Sequence, residues 1–256
     1  MRIYILTQED AFYIPLILDY VLAERCDIVA VGIVPGELRS GNLQRYFRLM
    51  GPRDFALQVL NVARHRFLDL VSEVLPLPRS WSVAGAARRA RVACEVVPKI
   101  NATEFLERLR LLGVDLIVSI ACPQIFKRDL LRLPARGCIN LHGALLPRYQ
   151  GMLPSFWVLA RGERETGVTV HWMDEAIDHG DILLQRPVPI RDNDTVHSLV
   201  RRSKVEAGRY LLVEAIGLIE RGEAPHVPMD MRLGSYVSFP DDAAVQEFRR
   251  RGRRFI

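Results

Sequence analysis

In the run Cys138-Ile139-Asn140-Leu141-His142-Gly143, an apolar stretch gives way to an amide and an imidazole two residues apart. Alternation along a strand puts side chains at i and i+2 on one face, and α/β folds gather ligands at the C-terminal edge of a parallel sheet. Asn140 can then donate an N–H to an oxyanion developing on an attacked carbonyl, and His142 can donate too or carry a proton near neutral pH. Taken alone, the pair also fits a histidine that merely satisfies a strand end. A second polar run, Met173-Asp174-Glu175-Ala176-Ile177-Asp178-His179-Gly180-Asp181, gathers carboxylates and a glycine in one loop. Such a loop supplies an acid that orients or protonates its partners; turn chemistry explains an Asp-x-Gly stretch equally well.

The elements around these runs follow from periodicity. Short β-rich runs alternate with helical segments, the pattern of an α/β domain with a mostly parallel sheet. Residues 2–6 and 28–34 read as the first strands, joined by a helix in which Pro15 takes a tolerated early position. Over 52–71, Phe55, Val59, Val62, Ala63, Phe67 and Val71 recur with helical spacing, which predicts an amphipathic helix packed on one face of the sheet. A short helix at 82–90 and a strand at 92–97 come next. Asn101 and Glu104 have capping-box spacing for a helix that stops at Leu112, with Gly113 as its left-handed cap. Residues 114–120 read as a buried central strand, and 138–141, 168–171 and 182–188 complete the set. Asp194 is placed to cap a long helix whose inward face carries Val196, Leu199, Val200, Ala207, Leu211, Ala215 and Leu218. The expected plan is α/β, a Rossmann-like core over 1–222 with helices on both faces of a twisted sheet. A C-terminal extension over 223–256 adds a short strand at 235–238 and a helix at 241–251.

Composition narrows the class. The 256 residues are 49% apolar and 25% charged, which excludes a disordered or fibrous chain. No apolar run approaches the roughly 18 residues of a membrane span, and the first segment runs into Glu9 and Asp10. Neither a membrane partner nor a signal peptide is expected, and the cytoplasm is the expected location. Cys26, Cys94, Cys122 and Cys138 are scattered, with no Cys-x-x-Cys pair, beside stretches that read as buried strands. Reduced thiols are expected rather than disulfides or a zinc site. Of the 35 basic residues only Lys99, Lys127 and Lys204 are lysines, a bias read as coding composition. The one basic block, Arg249-Arg250-Arg251-Gly252-Arg253-Arg254, suits phosphates or the dipole of a helix C-terminus.

Together, Asn140-Leu141-His142-Gly143-Ala144-Leu145-Leu146-Pro147 followed by Gly151, Thr166-Gly167-Val168-Thr169-Val170 and Ile177-Asp178-His179-Gly180-Asp181-Ile182 resemble the formyltransferases that use 10-formyltetrahydrofolate. That family includes methionyl-tRNA formyltransferase, glycinamide ribonucleotide formyltransferase and the sugar N-formyltransferases. The likeness is strong over 115–188 and weaker as far as Gly222. It implies that Asn140, His142 and Asp178 are catalytic, that backbone groups of Gln124, Ile125 and Phe126 cradle the pterin ring, and that Glu175 and Ala176 line the same pocket. The implied reaction is attack of an unprotonated amine on the formyl carbon. Asn140 and His142 stabilise the resulting oxyanion, Asp178 orients His142 and raises its pKa, and a water relays the proton. No metal is required. His171 is expected to pack in the core or stand behind the site.

For the acceptor, the resemblance gives reasons to exclude. Methionyl-tRNA formyltransferases carry a C-terminal β-barrel that helps grip the tRNA, whereas little chain follows Gly222 here; a nucleic-acid partner is disfavoured. Glycinamide ribonucleotide enzymes carry a Gly-rich phosphate turn after the first strand, where this chain has Thr7-Gln8-Glu9-Asp10-Ala11-Phe12-Tyr13. A small-molecule amine is left, with a nucleotide-linked amino sugar leading by analogy and an amino acid or metabolite amine close behind. Phe12, Tyr13, Tyr149, Phe156 and Trp157 can stack on such a ligand or simply pack. The alternatives are a methionyl-tRNA formyltransferase-like enzyme without its tRNA-binding domain, a formyltetrahydrofolate hydrolase, and a non-catalytic nucleic-acid-binding protein supported only by the arginine tail. The family also suggests a homodimer, in which Tyr236, Phe239 and Phe248 either meet a partner or anchor the tail to its own core.

Overall fold

A strand that is apolar on both sides must be covered on both sides, so the first strand sits mid-sheet. In the computed structural model, which describes residues 1–36 and 40–256, β1 (Ile3–Thr7) is buried at every position. Its parallel neighbours are β2 (Ile28–Ile33) and β4 (Leu116–Ile120), with β3 (Ala93–Val96) parallel beyond β2 and β5 (Cys138–His142) parallel beyond β4. Then the direction reverses: β7 (Glu165–Trp172) is antiparallel to β5, and β8 (Ile182–Pro189) antiparallel to β7. The order is β3-β2-β1-β4-β5-β7-β8. A separate two-stranded ribbon joins β6 (Gln150–Gly151) to β9 (Tyr236–Val237).

Alternation along β1 divides the core. Ile3 and Ile5 face one layer with residues of α1 (Ile14–Glu24), α4 (Val83–Ala90) and α9 (Arg209–Arg221). Tyr4 and Leu6 face the other with residues of α5 (Thr103–Leu111) and α6 (Arg128–Leu131). A third cluster gathers α7 (Pro154–Arg161), α8 (Val196–Val200) and α10 (Asp242–Arg250). There Phe156 stacks on Phe248 at 4.7 Å and Phe255 lies 6.0 Å away, so Phe248 anchors the C-terminal segment to its own core.

Four local expectations change. The helix over 52–71 forms as α3 (Pro52–Ser72), after α2 (Ser40–Met50), but its apolar positions do not meet the sheet: Val59 is 54% and Phe67 64% exposed. Polar ties hold it instead, with Asp54 accepting the N–H groups of Phe255 and Ile256 and His65 against the Ala11 carbonyl. Asn101 does not cap α5, whose N-cap is Ala102; its side chain is spent on the loop after β4. The long helix is capped by Thr195 rather than Asp194, with a Thr195–Ser198 capping box. Between α8 and α9 it widens into a π-helical segment over Arg201–Gly208, because an extra residue must be absorbed while Leu199, Ser203, Val205, Gly208 and Leu211 stay buried. Finally, Cys26 and Cys94 are exposed; all four cysteines are free.

Candidate active site

The antiparallel pairing of β5 and β7 aligns Asn140 with His171 and His142 with Thr169. Residues opposite each other on one face are close enough to interact, which places His171 against the site. Because β7 runs antiparallel to β5, the 173–181 loop does not leave from the C-terminal edge of the parallel strands. It starts beside the first residue of β5, where Met173 N–H donates to the Cys138 carbonyl at 2.9 Å, and folds back over the sheet. Gly180 permits that return, since a Cβ there would lie 2.2 Å from the Trp172 carbonyl oxygen. Asp178 sits at the turn with φ 51°. The Gln150 amide holds its carbonyl at 2.8 Å, and Gly151 N–H donates to its Oδ2 at 2.9 Å.

The two side chains predicted to share a face meet the two oxygens of this carboxylate. Asn140 Nδ2 donates to Asp178 Oδ1 at 3.2 Å, and His142 Nδ1 lies 3.3 Å from Oδ2. His171 Nε2 stands 3.2 Å from Asn140 Nδ2 and 3.4 Å from Asp178 Oδ1, while its Nδ1 donates to the Trp172 carbonyl at 2.7 Å. His142 Nε2 is 2.8 Å from the Tyr149 carbonyl. A carbonyl only accepts, so Nε2 carries a proton, and the proton that His142 gains or loses is the one on Nδ1, facing Asp178. His142 is buried and Asp178 largely so, their side chains 6% and 11% exposed.

Electrostatics fix the protonation states. Burial pushes the Asp178 carboxyl up, but His142, His171 and the Gly151 N–H together pull it well below the usual carboxylate range. For His142 the balance runs against expectation. Burial lowers its pKa and prevails over Asp178, which raises it; Lys204 and His171 lower it further, and the bond to Tyr149 opposes them. The imidazole is therefore held toward its neutral form beside an ionised carboxylate.

Of the residues assigned to the pterin, Gln124 ties down the loop after β4: Oε1 accepts Ile100 N–H at 3.1 Å and Nε2 donates to Pro98 at 2.7 Å. Asn101 completes the staple, donating to the Ile125 carbonyl and accepting Lys127 N–H, both at 2.9 Å. Among the described residues the N–H groups of Gln124, Ile125 and Phe126 donate to no protein acceptor. That leaves backbone donors free for a ring edge, as a pterin requires. Ile125 is exposed and Phe126 buried. Glu175 reaches back to Arg128 at 2.9 Å, joining the 173–181 loop to α6, and Ala176 N–H is held by Asp174 at 2.9 Å. No group of His, Cys, Asp and Glu among the described residues has metal-holding geometry.

On the other side of the site, Asp10 Oδ1 accepts the N–H groups of Phe12, Tyr13 and Ile14 at 2.8, 2.5 and 3.1 Å. The donors with which a helix N-terminus would meet a phosphate are thereby occupied. Tyr13 OH bonds His197 at 2.7 Å, whereas Tyr149 and Phe156 are buried and Trp157 donates to Ser238. Most of the tail arginines are exposed, with partners within the chain: Arg249 caps Arg48, Arg250 and Arg251 pair with Glu247, and Arg253 binds the Arg191 and Asp192 carbonyls. Two shallow recesses lie elsewhere, along α2 and between Leu49–Asp54 and the C-terminal residues.

A family profile described as formyl transferase matches residues 82–216, more than half the chain. The chain belongs to the formyl transferase family. A methionyl-tRNA formyltransferase from Moorella thermoacetica is 40% identical over 200 residues, covering 73% of this chain and 63% of the relative. The chain spans less than two thirds of the curated relatives it matches. Among solved structures, glycinamide ribonucleotide transformylase 1 from Symbiobacterium toebii superposes with a TM-score of 0.60 at 21% identity, over 87% of this chain and 89% of that one. The N-formyltransferase from Helicobacter canadensis, solved with folinic acid and dTDP-3-aminofucose, gives 0.60 at 17% identity, over 98% and 80%. These likenesses establish the shared fold. Asn140, His142 and Asp178 all lie within the matched span. Sequence reasoning placed that trio but missed Tyr149, Gln150 and Gly151 as their supports, and it passed over Lys204.

Proposed function

We propose that the protein transfers the formyl group of 10-formyltetrahydrofolate to a primary amine, using Asn140, His142 and Asp178. The single observation that carries this reading is Asp178 presenting one oxygen to Asn140 and the other to His142. The folate supplies an activated formyl carbon. Asn140 turns one N–H from Asp178 or His171 toward the formyl oxygen, where negative charge develops. His142 takes the amine proton at Nδ1, the position left open when Nε2 is committed to Tyr149, and Asp178 stabilises the imidazolium that forms; as the tetrahedral intermediate collapses, the bond from the formyl carbon to the folate nitrogen breaks and that proton passes to the departing nitrogen. Gln124, Ile125 and Phe126 supply backbone donors to the pterin, with Glu175 and Ala176 on the opposing loop.

A small amine, with a nucleotide-linked amino sugar first, is the leading acceptor, supported by the occupied N–H groups at Asp10. Charged initiator tRNA is the second reading, favoured by the 40% identity to a methionyl-tRNA formyltransferase. The test follows tetrahydrofolate release from 10-formyltetrahydrofolate with no acceptor, with amino sugars and amino acids, and with charged initiator tRNA. Release without acceptor points to a hydrolase, and no release under any condition overturns the enzyme reading. Asn140→Ala, His142→Ala and Asp178→Ala are each expected to cut turnover by about 100-fold or more with circular dichroism unchanged. Near-normal turnover in any one removes that residue from the mechanism.

A further inference from the structure

Lys204 is one of three lysines in a chain that otherwise uses arginine. It sits in the π-helical segment, a distortion that often marks a functional position. Its side chain crosses directly over the residue after His142: a Cβ on Gly143 would lie 2.7 Å from Lys204 Cε and 3.5 Å from Cγ. Gly143 is thus the gap through which the aliphatic stem of the side chain runs. Among the described residues the ammonium forms no hydrogen bond or ion pair. It lies close enough to Asp178 and Asp10 to feel both charges, while burial pushes its own pKa down.

We propose that Lys204 is a positioning residue of the site: carried over Gly143 by the π-helical turn, its ammonium opposes Asp178 and keeps the His142 imidazole neutral and able to accept the amine proton. The groups facing His142 are few: Asp178 from the 173–181 loop, His171 from β7, the Tyr149 carbonyl and Lys204. Asp178 and the carbonyl both favour a proton on the ring, since each is an acceptor aimed at one nitrogen. Lys204 is the basic side chain among them that counters both, lowering the His142 pKa. Without it, the carboxylate would draw the proton onto Nδ1 before the amine arrives, and the base would be spent. The proposal rests on reading His142 as that base.

The test replaces Lys204 by Met, close in length and uncharged, and by Arg, which keeps the charge. His142 is followed by NMR titration of the folded protein alone, its signal assigned with His142→Asn, and turnover of 10-formyltetrahydrofolate is followed from pH 6 to 8. In K204M the His142 transition is expected to move to higher pH, and the turnover deficit to be several-fold larger at pH 6 than at pH 8 for a transition raised by about one pKa unit. K204R is expected to keep the wild-type transition. If methionine does not fold, Lys204→Gln takes its place with the same readouts. An unmoved His142 transition in the folded, uncharged variant overturns the proposal. A moved transition in a protein that never consumes 10-formyltetrahydrofolate leaves the Lys204–His142 coupling standing and removes the activity reading instead.

Discussion

At Asp178 burial and charge pull in opposite directions, and the sum keeps the carboxylate ionised. A folded pKa below the unfolded value contributes stability that is complete above the ordinary value of about 3.9 and is lost as pH falls toward the folded value. Urea melts of wild type and Asp178→Asn should therefore differ most at neutral pH and converge below about pH 4; a constant gap would mean the carboxylate is not stabilised by folding. At this scale the sequence was informative where geometry is local. Asn140 and His142 share a face because strand alternation requires it. His171 was legible only as a residue packed in the core or standing behind the site; its place opposite Asn140 depends on β7 running antiparallel, which no property of residues 165–172 announces. Lys204 carried one signal, its rarity, and only contact with Gly143 gives that signal meaning.

Among the elements, the β6–β9 ribbon does more for the site than its four residues suggest. Gln150 and Gly151 hold Asp178, Tyr149 holds His142, and all three lean on the C-terminal segment: Tyr149 N–H donates to Ser235 Oγ at 2.9 Å and Gln150 N–H to the Ser235 carbonyl at 2.8 Å. Gly151 has φ 96°, and a Cβ there would lie 2.3 Å from the Val237 carbonyl. Gly151→Ala is expected to cost about 1–3 kcal/mol, read as a lower denaturant midpoint, and to reduce kcat as well, since the ribbon and Asp178 shift together. Unchanged kcat in the destabilised variant would separate the ribbon from the site. Periodicity found the strand near 235–238 but could not find its two-residue partner. The same limit applies to Asn101, whose capping-box spacing was real while its side chain served the loop after β4 instead.

On the scale of the whole molecule, three aromatic rings join the last residues to the body: Phe156, Phe248 and Phe255, each buried. Phe248→Ala is expected to cost about 3–5 kcal/mol, measured as a drop in the urea midpoint; a loss below about 1 kcal/mol would mean the terminal helix hardly contributes. The α/β class and the alternation of strands and helices were legible because buried strands must be apolar on both faces. The exposed apolar positions of α3 were not, since polar ties to the chain terminus and the Ala11 carbonyl fix that helix in place of an apolar stripe. The ribbon that braces Asp178 is closed by two segments far apart in the chain and lies outside the seven-stranded sheet. Prising the C-terminal segment from Gln150 and Gly151 should therefore leave the sheet assembled and its carboxylate unaimed, a loss of competence without a loss of fold.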